Sequence, residues 1–220
     1  MSTDGPPRSL KDQTRWQLWL TIAANFALFY GVAQSDALAV SGIKGLLVGA
    51  ANLLPVGLAL IVTSVANGLL NAAAKARLVF LRWHFALPGH RAFSRHGPTD
   101  PRIDMSRLKD SLGDTFPRTP GDENRLWYRF YKDVESETAI LHAHREFLFT
   151  RDYAAFSFLF LFGFGTAAVF MVQSLRVSLI YCAVLLLQFL VVRHSAATYG
   201  VRLVTTVLAR HAAKTVWISG

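Results

Sequence analysis

Histidines are the residues of this sequence best suited to acid–base or metal chemistry, but their spacing favours neither. His142 and His144 are two positions apart, about 200° around a helix, so they do not face one metal ion. Three others lie around a Pro-Gly turn and have no obvious carboxylate partners: His84, His90 and His96. The single cysteine, Cys182, excludes an intrachain disulfide and a cysteine-based metal site. We therefore expect no metal and no other cofactor.

Catalytic motifs are missing from the sequence. It contains no Gly-x-Ser-x-Gly elbow, no His-Glu-x-x-His pair and no Gly-rich phosphate loop. Arg91 and His96 form an Arg-x4-His spacing that resembles the core motif of the HEPN ribonucleases. That motif lies on a helix and has a polar second residue, whereas Ala92 fills this position here. We therefore predict that the protein is not an enzyme. A lipid-modifying enzyme would have to use Arg82, His84, Asp100 and His142.

A basic and aromatic set in the middle of the chain is the best candidate for recognition. Arginine forks suit phosphate groups, and aromatic faces suit bases or the bodies of lipid headgroups. The predicted ligand-binding or headgroup-binding residues are Arg82, Trp83, Arg91, Arg95, Arg125, Trp127 and Arg129. The partner would be an anionic lipid, a nucleotide or a soluble protein. The competing interpretation is a folded surface whose arginines pair with nearby acids.

Four apolar stretches must position this set. They run over residues 16–33, 45–74, 153–172 and 177–192, and each approaches the length of about 20 residues that crosses a bilayer as a helix. Only 17% of the residues are charged, against about 25% in soluble domains. The predicted fold is therefore an all-α integral membrane protein with four transmembrane helices and a helical cytoplasmic insert between spans 2 and 3.

The basic residues predict the orientation of these spans. The net charge is +9, but the two short connections between paired spans hold only Lys44 and Arg176. Because positive residues mark the cytoplasmic side, both termini and the insert should be cytoplasmic. This distribution points to a membrane rather than to nucleic acid. The predicted segments are a tail (1–15), a first hairpin (16–74), the insert (75–152), a second hairpin (153–192) and an amphipathic helix (193–220).

Polar and small residues within the spans give two interpretations. Polar groups in lipid tend to face the bundle or a water-filled path, and small residues let helices approach closely. The residues predicted for pore lining or helix packing are Asn25, Asn52, Asn67, Gln188, Gly45 and Gly49. Interhelical hydrogen bonding is the alternative role for the polar ones. No charged residue lies deep in a span, which argues against a proton-coupled transporter.

Local signals predict the helices around the insert. The second span should emerge as a helix that ends near residues 87–89, at a Leu-Pro-Gly turn. A short helix should follow, capped by Asp104 and ended by Gly113, and then a longer one capped by Asp122, with Arg129 and Asp133 paired on its surface. The helix after residue 199 is amphipathic and should lie on lipid or against the insert.

The layout of two spans, an insert and two spans is similar to that of the small inner-membrane effectors of bacterial phage-defence systems. The resemblance implies a homo-oligomer that perturbs or permeates the membrane under control of its cytoplasmic insert. The alternative from the residues is a non-catalytic membrane anchor or scaffold that binds a soluble partner or anionic lipid.

Overall fold

The structure is a computed structural model, and it describes residues 15–48 and 67–218 together with residues 57, 61, 62 and 65. Within these residues the chain is helical and contains no strand, which confirms the all-α prediction. The α-helices are α1 (Arg15–Ala33), α2 (Ser35–Val48), α3 (Ala72–Phe80), α4 (Met105–Leu112), α5 (Pro120–Val134), α6 (Thr138–Met171) and α7 (Leu175–Ile218). Short helical turns cover Pro88–Arg91, Ala92–His96, Gly97–Thr99 and Gly113–Thr115.

Three helices are long and apolar enough to cross a membrane by length and composition. They comprise residues Trp16–Ala33 of α1, Thr138–Met171 of α6 and Leu175–Lys214 within α7. The predicted second span, residues 45–74, falls largely outside the described residues. Four spans therefore remain a prediction, whereas the three apolar helices are part of the fold.

The chain divides into two compact units. The hairpin unit comprises Met1–Lys75 and Asp152–Arg193, and the insert unit comprises Ala76–Arg151 and His194–Gly220. Both α6 and α7 contribute residues to each unit. The predicted insert and the predicted C-terminal amphipathic helix thus belong to one unit.

Phenylalanine rings form the centre of the hairpin unit. Phe26 of α1 meets Phe164 of α6 edge-on, with ring centroids 4.8 Å apart, and Phe29 stacks on Phe164 at 4.7 Å. The apolar parts of α6 and α7 form an antiparallel hairpin, since the Ser178 hydroxyl donates to the carbonyl oxygen of Ala168 at 3.0 Å. Aromatic pairs add about 0.5–1.5 kcal/mol each beyond their area burial. These rings therefore hold α1 against the α6–α7 hairpin.

The C-terminal part of α7 lies at the centre of the insert unit. Its residues Val204, Val207 and Leu208 are fully buried in one core with Phe130 of α5 and Ile140 of α6. Of the two predicted settings for this amphipathic helix, the structure therefore shows the one against the insert.

A close approach of three helices explains a glycine in α7. A Cβ at Gly200 would lie 2.8 Å from the Phe80 ring of α3 and 2.9 Å from the Phe147 ring of α6. Gly200 therefore lets α3 and α6 pack directly against the α7 backbone.

Two predictions about helix ends are wrong. The helix that leaves the second apolar stretch ends at Phe80, because Leu81 adopts a left-handed conformation (φ 50°) that breaks it before the Leu-Pro-Gly turn. The N-terminal cap of α5 is Thr119, whose hydroxyl accepts from the Asp122 amide. Asp122 lies in the first turn, and its carboxylate accepts a hydrogen bond from the same hydroxyl.

Other local predictions have mixed outcomes. Asp104 caps α4 by accepting from the Arg107 amide, and Gly113 ends it at φ 49°, as predicted. The predicted pair of Arg129 and Asp133 is not among the ion pairs of the described residues. Asp133 instead lies 3.8 Å from the His211 ring nitrogen.

Candidate functional site

An exposed apolar loop follows α3 in the insert unit. In this loop, residues 81–85, the side chains of Leu81, Trp83 and Phe85 are 68%, 78% and 50% exposed. Leu81 and Phe85 also have positive φ angles, 50° and 49°, which are unusual for bulky residues and cost about 1–3 kcal/mol each. The chain thus maintains a strained turn that presents three large apolar side chains to its surroundings.

Four arginines accompany the 81–85 loop, and we call them the arginine cluster: Arg77, Arg82, Arg91 and Arg95. The Arg77 guanidinium lies over the Trp83 ring, 5.8 Å from its centroid. Arg91 Nη1 lies 3.5 Å from the carbonyl oxygen of Phe85. Burial lowers the pKa of Arg91, and the neighbouring charges of Arg82 and Arg95 lower it further. These groups are therefore close enough to act as one positive surface.

The positive charge of the cluster is not neutralised by direct ion pairs. Within the described part of the chain, none of its four arginines lies within 4 Å of a carboxylate oxygen, although other arginines of the insert unit do, such as Arg102 with Asp100 and Arg125 with Asp122. Burial and the neighbouring Arg95 hold the pKa of His96 at about 4, so this ring stays neutral near pH 7. The cluster can therefore accept an anion from outside the protein.

Glu123 of α5 holds the turn that carries Arg91 and Arg95. Its Oε2 accepts hydrogen bonds from the backbone amides of Phe93 and Ser94, at 2.8 and 3.0 Å, and the residue is buried. The nearest acid is thus occupied by two backbone donors. This arrangement fixes the turn and leaves the arginine side chains at the surface.

The structure separates the predicted recognition set into two groups. Arg82, Trp83, Arg91 and Arg95 gather around the 81–85 loop. The other three residues lie on α5. Arg125 pairs with Asp122, Arg129 is exposed beside a groove, and Trp127 packs in the core with Nε1 3.4 Å from the carbonyl oxygen of Val204. The site therefore rests on the first group.

The predicted polar residues of the spans lie in several environments. Gln188 Nε2 donates to the hydroxyls of Tyr153 at 3.0 Å and Ser157 at 3.5 Å, which joins α7 to α6. Asn25 is buried and donates to the Thr21 carbonyl oxygen of its own helix. Among the described residues, the Oδ1 atoms of Asn25 and Asn67 have no hydrogen-bond partner. Gly45 lies in α2, and Asn52 and Gly49 lie outside the described residues. Pore lining by these residues stays a prediction.

Several residues of the site escaped the sequence analysis. Arg77 lies in α3 and is not among the residues predicted for recognition, and the role of Glu123 depends on a turn 29 residues earlier. The dense run of Leu81, Trp83 and Phe85 among arginines is the signal that could have identified the loop.

The comparisons with known proteins add no constraint. No protein-family model, curated protein or solved structure matches this chain. Within the described residues, no group of three or more His, Cys, Asp or Glu side chains could hold a metal ion.

Proposed function

We propose that this protein is a non-catalytic membrane anchor whose insert unit binds anionic phospholipid headgroups on the cytoplasmic leaflet. The observation that carries the proposal is the exposed 81–85 loop flanked by the arginine cluster. Tryptophan settles at the membrane interface, and arginines bind phosphate groups as forks. The loop and the cluster thus combine the two side-chain types that a lipid surface selects.

The energetics favour a bilayer as the partner of the loop. Three exposed side chains of this size gain about 1.5–3 kcal/mol each when they leave water completely. A basic residue near an anionic leaflet contributes about 1 kcal/mol. The loop offers both kinds of group side by side, because the Arg77 guanidinium lies 5.8 Å from the centroid of the Trp83 ring.

The hairpin unit supplies the anchor in this proposal. Its helices α1, α6 and α7 have the length and composition of membrane spans. The connection between α6 and α7 contains no charged residue, and the one charged residue in the first turn of α7 is Arg176. By the positive-inside rule this end faces away from the cytoplasm, which puts the basic insert unit at the cytoplasmic leaflet of a bacterial inner membrane.

Removal of the arginine charges should release the loop from lipid. In the full chain in nanodiscs, anionic lipid is expected to slow hydrogen exchange of the amides of residues 81–85, relative to zwitterionic lipid. In the triple variant Arg82→Gln, Arg91→Gln and Arg95→Gln, the protection that anionic lipid adds to these amides should fall about tenfold or more. The reason is that each charge contributes about 1 kcal/mol at the surface. High salt should weaken the effect in the wild type.

A matched variant controls for net charge. Arg107, Arg118 and Arg129 are exposed arginines of the same unit with no ion pair among the described residues. Their replacement by glutamine removes the same charge and should leave the protection of residues 81–85 unchanged. Equal losses in both triple variants, or no dependence on lipid charge, would count against the proposal.

A second candidate function is an oligomeric effector that perturbs or permeates the membrane, as in phage defence. The observation that favours it is an open face on α6, where Gly163 has no neighbour within 4 Å of a Cβ position and Phe162 and Phe170 are exposed. A second copy could approach closely there. A voltage-sensitive dye distinguishes the two functions in expressing cells, because depolarisation is expected of the effector and not of the anchor.

A further inference from the structure

A basic groove lies in the insert unit, between the first turns of α6 and the C-terminal half of α7. It has a volume of about 500 Å³. Small side chains make its floor, because Ala139 and Ala143 of α6 face Ala209 and Ala213 of α7. Large side chains at these positions would fill the space between the helices. The small side chains of α6 and α7 therefore leave a groove between the two helices.

Three arginines line this groove. Arg202 and Arg210 both lie on α7 in register with Thr206, since residues four positions apart share one face of a helix. Arg102 reaches the groove from the loop before α4, and its position is fixed by Asp100, which accepts from Nε at 2.9 Å and from Nη2 at 2.6 Å. Three arginines therefore line a groove whose other lining residues include four alanines.

The charged residues that line the groove are all basic. No Asp or Glu is among its lining residues, which also include His142. Asp100 and Glu137 offset Arg102 and Arg210 from outside the groove, with Glu137 3.6 Å from Arg210 Nε. Arg202 is exposed, and within the described residues it has no carboxylate within 4 Å. A bound anion would give Arg202 the partner that the protein does not supply.

We propose that this groove binds the phosphate group of a small soluble molecule, with Arg202 as its principal ligand. Arginine forks match phosphate oxygens in pairs, and the Thr206 hydroxyl can donate to one of them. The alanine floor accommodates the organic part of the molecule. The inference uses different residues from the arginine cluster and does not depend on the proposed lipid binding.

Calorimetry on the full chain tests this site. The protein is placed in nanodiscs of zwitterionic lipid, whose headgroups have no net charge, and is titrated with inorganic pyrophosphate. The wild type is expected to bind pyrophosphate at a saturable site that depends on Arg202, in addition to any binding at the arginine cluster. Arg202→Gln should weaken binding about tenfold or more, the effect of losing one charge-assisted contact, and Arg107→Gln, a matched exposed arginine on α4, should not.

Two further variants sharpen the result. Ala213→Leu fills the groove without a change in charge and should also weaken binding. The triple variant of Arg82, Arg91 and Arg95 removes any pyrophosphate binding at the arginine cluster and should keep the site that depends on Arg202, so failure of the lipid proposal and failure of this one are separable. Absence of saturable binding, or equal losses in Arg202→Gln and Arg107→Gln, would overturn the inference. Loss of pyrophosphate binding whenever anionic lipid is present would show that a lipid headgroup occupies the groove. That result would overturn the proposal that the ligand is a soluble molecule.

Discussion

Replacement of Asp152 by alanine is expected to lower the free energy of unfolding by about 3–5 kcal/mol, the usual cost of leaving one partner of a buried ion pair uncompensated. Asp152 Oδ1 lies 3.2 Å from Lys75 Nζ in the hairpin unit, and the two side chains are only 6% and 7% exposed. Without the carboxylate, the buried ammonium group of Lys75 would lose the ion-pair partner that lies 3.2 Å away. The pair joins residues 77 positions apart, so its loss should loosen the whole unit.

The single cysteine makes this prediction measurable. Cys182 is partly buried in the hairpin unit, and a thiol-reactive dye therefore reports unfolding of the detergent-solubilised chain. Asp110→Ala, an exposed aspartate without an ion pair among the described residues, serves as control. The double variant Lys75→Met with Asp152→Leu should recover most of the loss, because apolar residues can replace a buried pair at little cost. A loss in Asp152→Ala no larger than in Asp110→Ala would contradict the prediction.

Replacement of Glu123 by alanine is expected to lower the free energy of unfolding by about 2–4 kcal/mol, since it strands the buried amide of Phe93 and the partly buried amide of Ser94, and a buried unpaired donor costs about 1–3 kcal/mol. One carboxylate oxygen, Oε2, accepts from the amides of Phe93 and Ser94 at 2.8 and 3.0 Å. Loss of these bonds should also free the turn that carries Arg91 and Arg95. Hydrogen exchange of the core amides of the insert unit measures the first effect, and faster exchange at residues 93 and 94 measures the second.

Two variants separate the hydrogen bonds of Glu123 from its charge. Glu123→Gln keeps an acceptor oxygen and should cost less than the alanine variant. Glu135→Ala removes an exposed carboxylate that pairs with Lys132 on the same helix, a kind of pair that contributes about 0–1 kcal/mol. If Glu123→Ala is no more destabilising than Glu135→Ala, the turn does not depend on this carboxylate.

Periodic and capping signals in the sequence predicted much of the fold. Apolar runs identified α1, α6 and the first half of α7, and the amphipathic pattern after residue 199 identified the second half. The short helix capped by Asp104 followed from its terminal residues alone. These features are local, so a single segment contains the information that specifies them.

Features that depend on distant contacts could not be predicted in this way. The chain around Leu81 contains no Gly or Pro, and its positive φ ended α3 earlier than the pattern indicated. The pairing of Lys75 with Asp152 and the capture of the 93–94 amides by Glu123 depend on packing between distant segments. Four residues of the predicted recognition set lie around the 81–85 loop, whereas Trp127 packs against the core of the insert unit, a contact that no local pattern in the sequence indicates.

The position of the 81–85 loop relative to lipid tests the membrane-anchor proposal most directly. A Cys182→Ala chain carrying His84→Cys, labelled with the polarity-sensitive dye NBD, is compared in anionic nanodiscs with one labelled at Lys109→Cys, an exposed site on α4. The proposal predicts blue-shifted emission at position 84, quenched by lipids with a nitroxide near the headgroup, and water-like emission at position 109. Water-like, unquenched emission at both positions would contradict it.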